Sequence, residues 1–444
     1  MQQAFSLIDR FFQAAGGELF VGKVSVQNLA AAYGTPFFVY DRKIAEKKLA
    51  WLREALPARF SVFYSAKANP NPALLRIFLE KGCGVEIASM GEFHLALTAG
   101  CEPQNIVFAG PGKTEVELEY VLSNRIGEIH AESVREIERI GKISHRLGCR
   151  ARVAMRINAG SEAQGGAMRM GGKAVPFGLD EEHLEEAVRR VLSYPSLEFS
   201  GIHVFTGTQI LDDAVLLAQY GQGIELARRA AKVLGRPLSR VDFGGGLGVP
   251  YFAREKELDL AAVGRGLAEL VKDLAADPDF HGTEFLVEPG RYLVAESGVY
   301  VVKINDIKVS RGKKFVIVDG GMNHHLAASG NLGQTIKRNY PIAVLNKLNA
   351  PPKETVDVVG PLCTPLDVLG RGVELPQTEE GDLIGVFQSG AYGRSASPLG
   401  FLSHPTPPEV MVDGAEHFLI RRRGDITDAL RDIVLLAGSE SKLR

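Results

Sequence analysis

FSVFYSAKA (60–68), GVEIAS (84–89), NIVFAG (105–110), IGEIHAES (126–133), RARVAMRIN (150–158), FSGIHVFTG (199–207), RVDFGGG (240–246) and EFLVEPG (284–290) are eight short, apolar, β-rich runs. Between them stand stretches such as NPALLRIFLEKG, VREIERIGKISHRLG and DEEHLEEAVRRVLS, with apolar residues three and four apart. That spacing is the helical period. Eight strand–helix units in a row predict parallel βα pairs closed into a (β/α)8 TIM-like barrel. The rival, an open doubly wound sheet, usually has fewer strands.

After residue 290 the rhythm changes. YLVAESGVYVVKINDIKV, KKFVIVDGG, ETVDVVGPL, DLIGVFQSG, PPEVMV and HFLIRRRG read as strands and turns with little helix. GELFVGKVSVQNLAAAYGTPFFVYD (17–41) reads as strand, short helix, strand, and is expected to join them. The expected fold class is α/β plus all-β: a barrel over 42–292, and a β domain built from 1–41 plus 293–444.

Composition narrows the function. The 444 residues are 45% apolar and 23% charged, enough to bury a large core. Lysine and arginine number 51 against 53 acids, a balance that gives no global field for nucleic acid or an anionic membrane. No apolar run is long enough to span a bilayer. Asp9 and Arg10 interrupt the only stretch that could mimic a signal peptide, so no export signal is expected. Cys83, Cys101, Cys149 and Cys363 are widely spaced, without C-x-x-C, which argues against a zinc site or disulfide framework and fits a reducing cytoplasm.

In a barrel the chemistry stands at the C-terminal ends of the strands. The first run ends in Lys67, and a lysine closing an apolar strand points into the barrel mouth. It is either a snorkelling side chain or, with its pKa lowered by burial, a Schiff-base nucleophile. The sixth ends in Gly207-Thr208 and the seventh in Gly244-Gly245-Gly246, where backbone N–H groups can approach an anion. G-x-G-x-x-G fails at Val249, so this is no dinucleotide fingerprint, and GPGKT (110–114) lacks the first glycine of a P-loop. The eighth ends in Glu288-Pro289-Gly290-Arg291, a carboxylate and a guanidinium at one mouth. A lysine, an anion cradle and a carboxylate together match the aldehyde, phosphate and ring nitrogen of pyridoxal phosphate. The adjacent His324-His325 lack any supporting metal-ligand spacing, and no metal is expected.

With these motifs in order — YSAKAN, GVEIASMGE, GPGKTEVELE, RIN, GIHVFTGTQ, DFGGGLG, EPGR, VDGGMN, GPLCTPLD and GAYG — the chain resembles the fold-type III pyridoxal-phosphate decarboxylases, within them the diaminopimelate decarboxylase-like group. The resemblance covers nearly the whole chain. It implies that Lys67 anchors the cofactor, that Glu288 pairs with the pyridine nitrogen, that Thr208, Gly246, Arg291 and Tyr392 hold the phosphate, and that Gly245 and Gly290 also belong to the cofactor-binding set. Glu86, Ser89 and Phe205 fall in its cofactor-binding motifs. It implies a head-to-tail homodimer in which Cys363, the candidate proton donor, and Asp319 approach from the partner subunit. Related racemases place an arginine at the ring nitrogen, so Glu288 argues for decarboxylation. The large β domain argues against a non-catalytic cofactor carrier.

Three departures point to an altered substrate. Phe205 stands where the group usually has histidine in H-x-G-S. Thr364-Pro365 follows Cys363 where diaminopimelate decarboxylases carry C-E-S, whose glutamate binds the distal ammonium. The usual substrate-binding segment is replaced by GGMNHHLAASGNLGQTIKRNYP (320–341), with Arg338 and Tyr340 as candidates. GMNHH, NYP, GPLCTP and SHPTP resemble the glutamyl-carrier-protein decarboxylase of butirosin biosynthesis and decarboxylases of exopolysaccharide or protein-sorting systems. The expected substrate is therefore an α-amino acid, free or tethered to an acyl-carrier protein, with classical diaminopimelate decarboxylation as the alternative. Arg421–Arg423, the only triple-arginine run, is either a patch for an acidic carrier or a solvated strand end. The glycine-rich stretch 159–173 is a candidate lid, with Arg169 as a grip for a substrate carboxylate.

Overall fold

The computed structural model describes residues 2–160, 168–169 (backbone only), 174–205, 207–332, 334 and 336–434. The eight runs form strands Phe60–Ser65, Gly84–Ile87, Ile106–Phe108, Glu128–Ala131, Ala151–Asn158, Leu197–Val204, Arg240–Asp242 and Glu284–Val287. Each pairs in parallel with the next, and the eighth pairs with the first, so the sheet closes into a barrel. Burial on both faces explains why these strands read as apolar runs rather than as alternations.

The intervening helices are set by local signals. In Val134–Leu147, Ser133 caps the first turn and Gly148 ends the last at φ 62. Ile137, Ile140 and Ile143 face the barrel, fully or nearly fully buried. Helix Arg42–Ala55 precedes the first strand and is capped by Asp41. It is locked to the segment after the eighth strand by a buried Lys48–Glu296 ion pair, with the Lys48 ammonium 3.9 Å above the Tyr292 ring.

The expectation of a strand at YLVAES is corrected. Arg291–Val294 is a short helix, followed by a 3-10 turn, because Gly290 accepts from Leu293 and turns the chain at the barrel mouth. Gly298–Ser310 is the first strand beyond it. It pairs with Phe37–Asp41, Lys313–Val318 and Leu383–Phe387, so the segment before the barrel is hydrogen-bonded to the sheet after it. A second apolar cluster joins Leu7, Leu19 and Leu29 of the N-terminal segment to Val299, Phe387 and Val412 of that sheet. Strand Val368–Leu375 leaves no clear apolar run in the sequence, since Gly370, Arg371 and Gly372 break its pattern. His324 and His325 lie in a buried turn rather than on a strand, bonded to Tyr300 and Ser389. Burial pushes their pKa values down to about 4 and about 3. Among the described residues, no helix is long and apolar enough to cross a membrane.

Candidate active site

The strand ends converge on a cavity of about 200 Å3, lined among others by Lys67, Glu86, Arg156, His203, Phe205, Thr208, Gly245, Gly246, Glu288, Gly290, Arg291 and Tyr392. A larger groove of about 840 Å3 runs along the outer flank beside Trp51 and Tyr292, but it holds none of these groups.

Lys67 sits in the one-turn 3-10 helix that follows the first strand. Its Nζ donates to Glu86 Oε2 at 2.8 Å, and its side chain is 43% exposed to the cavity. Glu86 lies beside Ser65 across the parallel ladder and also accepts from Ser65 Oγ. Burial works against the Lys67 ammonium, but the Glu86 carboxylate outweighs it and holds the pKa above the ordinary lysine value. The lysine is therefore a cation in the cofactor-free chain.

The triple glycine bends the chain sharply after the seventh strand. Gly244 has φ 64 and donates to Asp242 Oδ1 at 2.8 Å, while its carbonyl accepts from Glu288 N at 2.7 Å. A Cβ on Gly245 would sit 2.6 Å from the Glu288 carbonyl oxygen. One on Gly246, at φ 101, would sit 2.9 Å from the Gly207 carbonyl oxygen. Glycine is required here because two backbones touch.

Arg291 donates to Tyr251 Oη at 3.1 Å, and its guanidinium lies 4.6 Å from the Tyr392 ring centroid. Burial opposes the Arg291 charge, and the surrounding tyrosines support it, leaving its pKa raised. Tyr392 belongs to the chain beyond the barrel. Its left-handed backbone (φ 53) donates to Ala68 O at 2.8 Å, and Asn69 bonds Gly390, so this loop is stitched to the Lys67 turn.

Glu288 is buried at the cavity floor, with Oε2 3.3 Å from His203 Nε2 and Oε1 without a partner among the described residues. Burial, and then the nearby Glu86 carboxylate, raise its pKa. Arg291 Nε and both His203 nitrogens are likewise buried without a hydrogen-bond partner. Guanidinium, tyrosine, threonine and bare backbone at one end, an amine, and an unsatisfied carboxylate at the floor suit an anionic group, an aldehyde and a basic ring nitrogen. These residues fit pyridoxal phosphate.

Other candidates from the sequence lie outside this lining. Ser89 Oγ caps helix Met90–Thr98 by accepting from Glu92 N. Asp319 accepts from Thr35 Oγ1 and Lys303 N. Arg338 covers the Phe252 ring at 3.6 Å and pairs with Glu255. Tyr340 packs behind Arg291 against Tyr251, with ring centroids 4.6 Å apart. Cys363 is solvent-exposed on its own chain, beside half-buried Thr364. The Asp367 carboxylate bonds both Leu362 N and Met322 N, tying the Cys363 loop to the GGMN turn. Arg421 pairs with Glu409 and Arg423 bonds the carbonyls of Tyr33 and Pro36, leaving Arg422 the exposed member of the run. Most of the 159–173 stretch lies outside the described residues. Arg169 is described by its backbone alone, which pairs with Gly207.

Sequence reading missed His130, His203, Arg156 and Phe177. Arg156 is buried, pairs with Glu132 at 2.8 Å, and lies 5.1 and 5.9 Å from the Phe177 and Phe205 rings. A signal was present: GEIHAES and GIHVFTG alternate, which puts Glu128 with His130, and His203 with Phe205, on one face of each strand.

A barrel with an amine, a carboxylate and an anion cradle at its strand ends defines a pyridoxal-phosphate enzyme. Residues 41–295 match the family profile "Pyridoxal-dependent decarboxylase, pyridoxal binding domain". The chain is 40% identical over 409 residues to the L-glutamyl-[BtrI acyl-carrier protein] decarboxylase of Niallia circulans, covering 91% of this chain and 95% of that one. It is 33% identical over 428 residues to the diaminopimelate decarboxylase of Zymomonas mobilis, covering 95% and 98%. The crystal structure of diaminopimelate decarboxylase from M. jannaschii with L-lysine superposes with a TM-score of 0.87 at 28% identity, over 96% of this chain and 98% of that one. The chain belongs to the pyridoxal-dependent decarboxylases, enzymes that remove CO2 from amino acids with pyridoxal phosphate as cofactor.

Proposed function

We propose that this decarboxylase acts on an α-amino acid held as a thioester on an acyl-carrier protein, with a carrier-linked glutamyl group as the leading substrate. The observation that carries this is the 40% identity, across nearly both full lengths, to a glutamyl-carrier-protein decarboxylase. The site supports it. Of the carboxylates lining the cavity, Glu86 is engaged by Lys67 and Glu288 lies at the floor beside His203. Thr364 offers no charge for a distal ammonium, and a thioester-linked substrate has none. The second reading, diaminopimelate decarboxylation, rests on the 33% identity to an enzyme of that name.

In this reading pyridoxal phosphate, when bound, supplies the electron sink for the pair left on Cα as CO2 departs. Lys67 anchors the cofactor. Glu288 keeps the ring nitrogen protonated, which deepens the sink. Arg291 would supply the charge, and Thr208, Tyr392 and the N–H groups of Gly245 and Gly246 the hydrogen bonds, that hold the phosphate. Phe205 shields the ring from water without adding a titrating group. Cys363 of a second subunit delivers the proton to Cα, and Asp319 approaches the same site, which makes the working unit a homodimer. Four free thiols, Cys83 and Cys101 among them buried, suit the cytoplasm.

The test follows CO2 release from carrier-linked glutamate and from free glutamate, lysine, ornithine and meso-diaminopimelate. Turnover of the carrier-linked substrate alone is expected. Efficient turnover of free diaminopimelate would overturn the proposal in favour of the second reading.

A further inference from the structure

At the cavity floor, His203 of the sixth strand meets His130 of the fourth inside the barrel. These strands are separated by the fifth, so the sheet ladder does not bring the two together. Their rings stack with centroids 4.6 Å apart and planes 30° apart. Both are buried, as are Glu128, Asp242 and Glu288 around them.

The two imidazoles are not equivalent. His130 Nε2 lies 3.1 Å from Glu128 Oε1 and 3.9 Å from Asp242 Oδ2. His203 Nε2 faces one carboxylate, Glu288 Oε2 at 3.3 Å, and neither of its nitrogens has a hydrogen-bond partner among the described residues. Two imidazolium rings stacked without intervening water repel each other, so the pair carries one extra proton at most. The Glu128 carboxylate places that proton on His130.

We propose that His130, held as an imidazolium by Glu128, adds to burial in keeping His203 neutral, so that His203 stands beside Glu288 as an uncharged neighbour and leaves the carboxylate's charge for the cofactor's ring nitrogen. The inference rests on the reading of Glu288 as the ring-nitrogen partner. A cationic His203 would form an ion pair with Glu288, compete for that charge and weaken the electron sink. His130 and His203 are thus positioning residues.

The charged groups facing the pair come from every strand packed on it. Lys67 and Glu86 stand above. Glu128 and Asp242 flank His130, and Asp242, whose pKa burial and then the Glu288 charge raise well above the usual carboxylate range, also hydrogen-bonds Glu288. Arg240 lies 3.7 Å and Arg152 3.9 Å from Glu128. Arg156 and Glu132 lie toward His203. Their sum agrees in direction. Burial opposes the His130 charge, but Glu128 and Asp242 raise its pKa overall, whereas burial and then His130 push that of His203 well down.

The test labels the histidines of the holoenzyme with 15N and reads the protonation of each ring by NMR from about pH 6 to pH 9, where a free imidazole loses its proton. Signals are assigned with His130→Asn and His203→Asn. The parent is expected to show one persistent imidazolium, lost in His130→Asn, and a neutral His203 that does not titrate. In His130→Asn, the His203 pKa is expected to rise, read as a larger imidazolium fraction at the acid end of the window, and kcat to fall about tenfold at unchanged KM, as for a lost transition-state interaction. An imidazolium at His203 in the parent, or two neutral rings, would overturn the proposal. So would His130→Asn with the His203 protonation and kcat both unchanged. Glu288→Gln is the separate arm. Parental turnover there would overturn the reading of Glu288, whereas impaired turnover alongside a cationic His203 would overturn only the role of the histidines.

Discussion

Replacing Gly246 by alanine should weaken cofactor binding and leave the barrel folded. The residue sits at φ 101, where an L side chain is strained, and its Cβ would lie 2.9 Å from the Gly207 carbonyl oxygen and 3.3 Å from Ile210 Cδ1. The neighbouring chain cannot retreat, because Ile210 N bonds Gly246 O and Gly248 N bonds Ile210 O, both at 2.9 Å. Backbone strain of about 1–2 kcal/mol and overpacking of about 1–2 kcal/mol sum to about 2–4 kcal/mol. Borne by the loop that faces the cavity, this is about a 30- to 800-fold rise in the pyridoxal phosphate dissociation constant. The assay titrates cofactor into cofactor-free enzyme and follows its visible band. Gly235→Ala is the control: Gly235 has φ 73, nothing lies within 4 Å of its Cβ, and it ends helix Asp213–Leu234. It should cost about 1 kcal/mol of stability and no affinity. Parental affinity in Gly246→Ala, within a factor of about three, would refute the cradle argument.

Lys48→Met should destabilise the fold by about 3–5 kcal/mol in urea, because it strands the buried Glu296 carboxylate, and adding Glu296→Gln should recover most of the loss. Burial alone would raise the Glu128 pKa, but the hydrogen bond from His130 and the Arg240 charge reverse this and hold it at about 2. A folded-state value below the unfolded one gives stability that is present above about pH 4.5 and lost as pH falls toward 2, worth about 3 kcal/mol for this group. Glu128→Gln should therefore flatten the acid limb of a stability–pH curve, and an unchanged limb would disprove the assignment. Thr364→Glu restores a carboxylate for a distal ammonium. A charge-assisted bond of about 1.5–3 kcal/mol should raise kcat/KM for meso-diaminopimelate about 10- to 150-fold, and no gain would separate residue 364 from substrate choice.

The barrel was legible in the sequence because each of its strands is buried on both faces and each helix on one, so strand and helix leave different apolar periods. Lys67, Glu288 and the triple glycine were legible for a related reason: they interrupt apolar runs at the strand ends, where a barrel gathers its chemistry. The helix at Arg291–Val294 was not, because YLVAES is apolar enough for a strand and only the hydrogen bond closing on Gly290 turns it. Nor was the pairing of Phe37–Asp41 with a strand some 260 positions later, since sheet register carries no local mark. His130 and His203 lie 73 positions apart on strands that are not sheet neighbours. The sequence by itself determined which residue types could do the chemistry. Only the curvature of the closed barrel, which gathers inward side chains of alternate strands into one layer, decided that two imidazoles stack beside the Glu288 carboxylate.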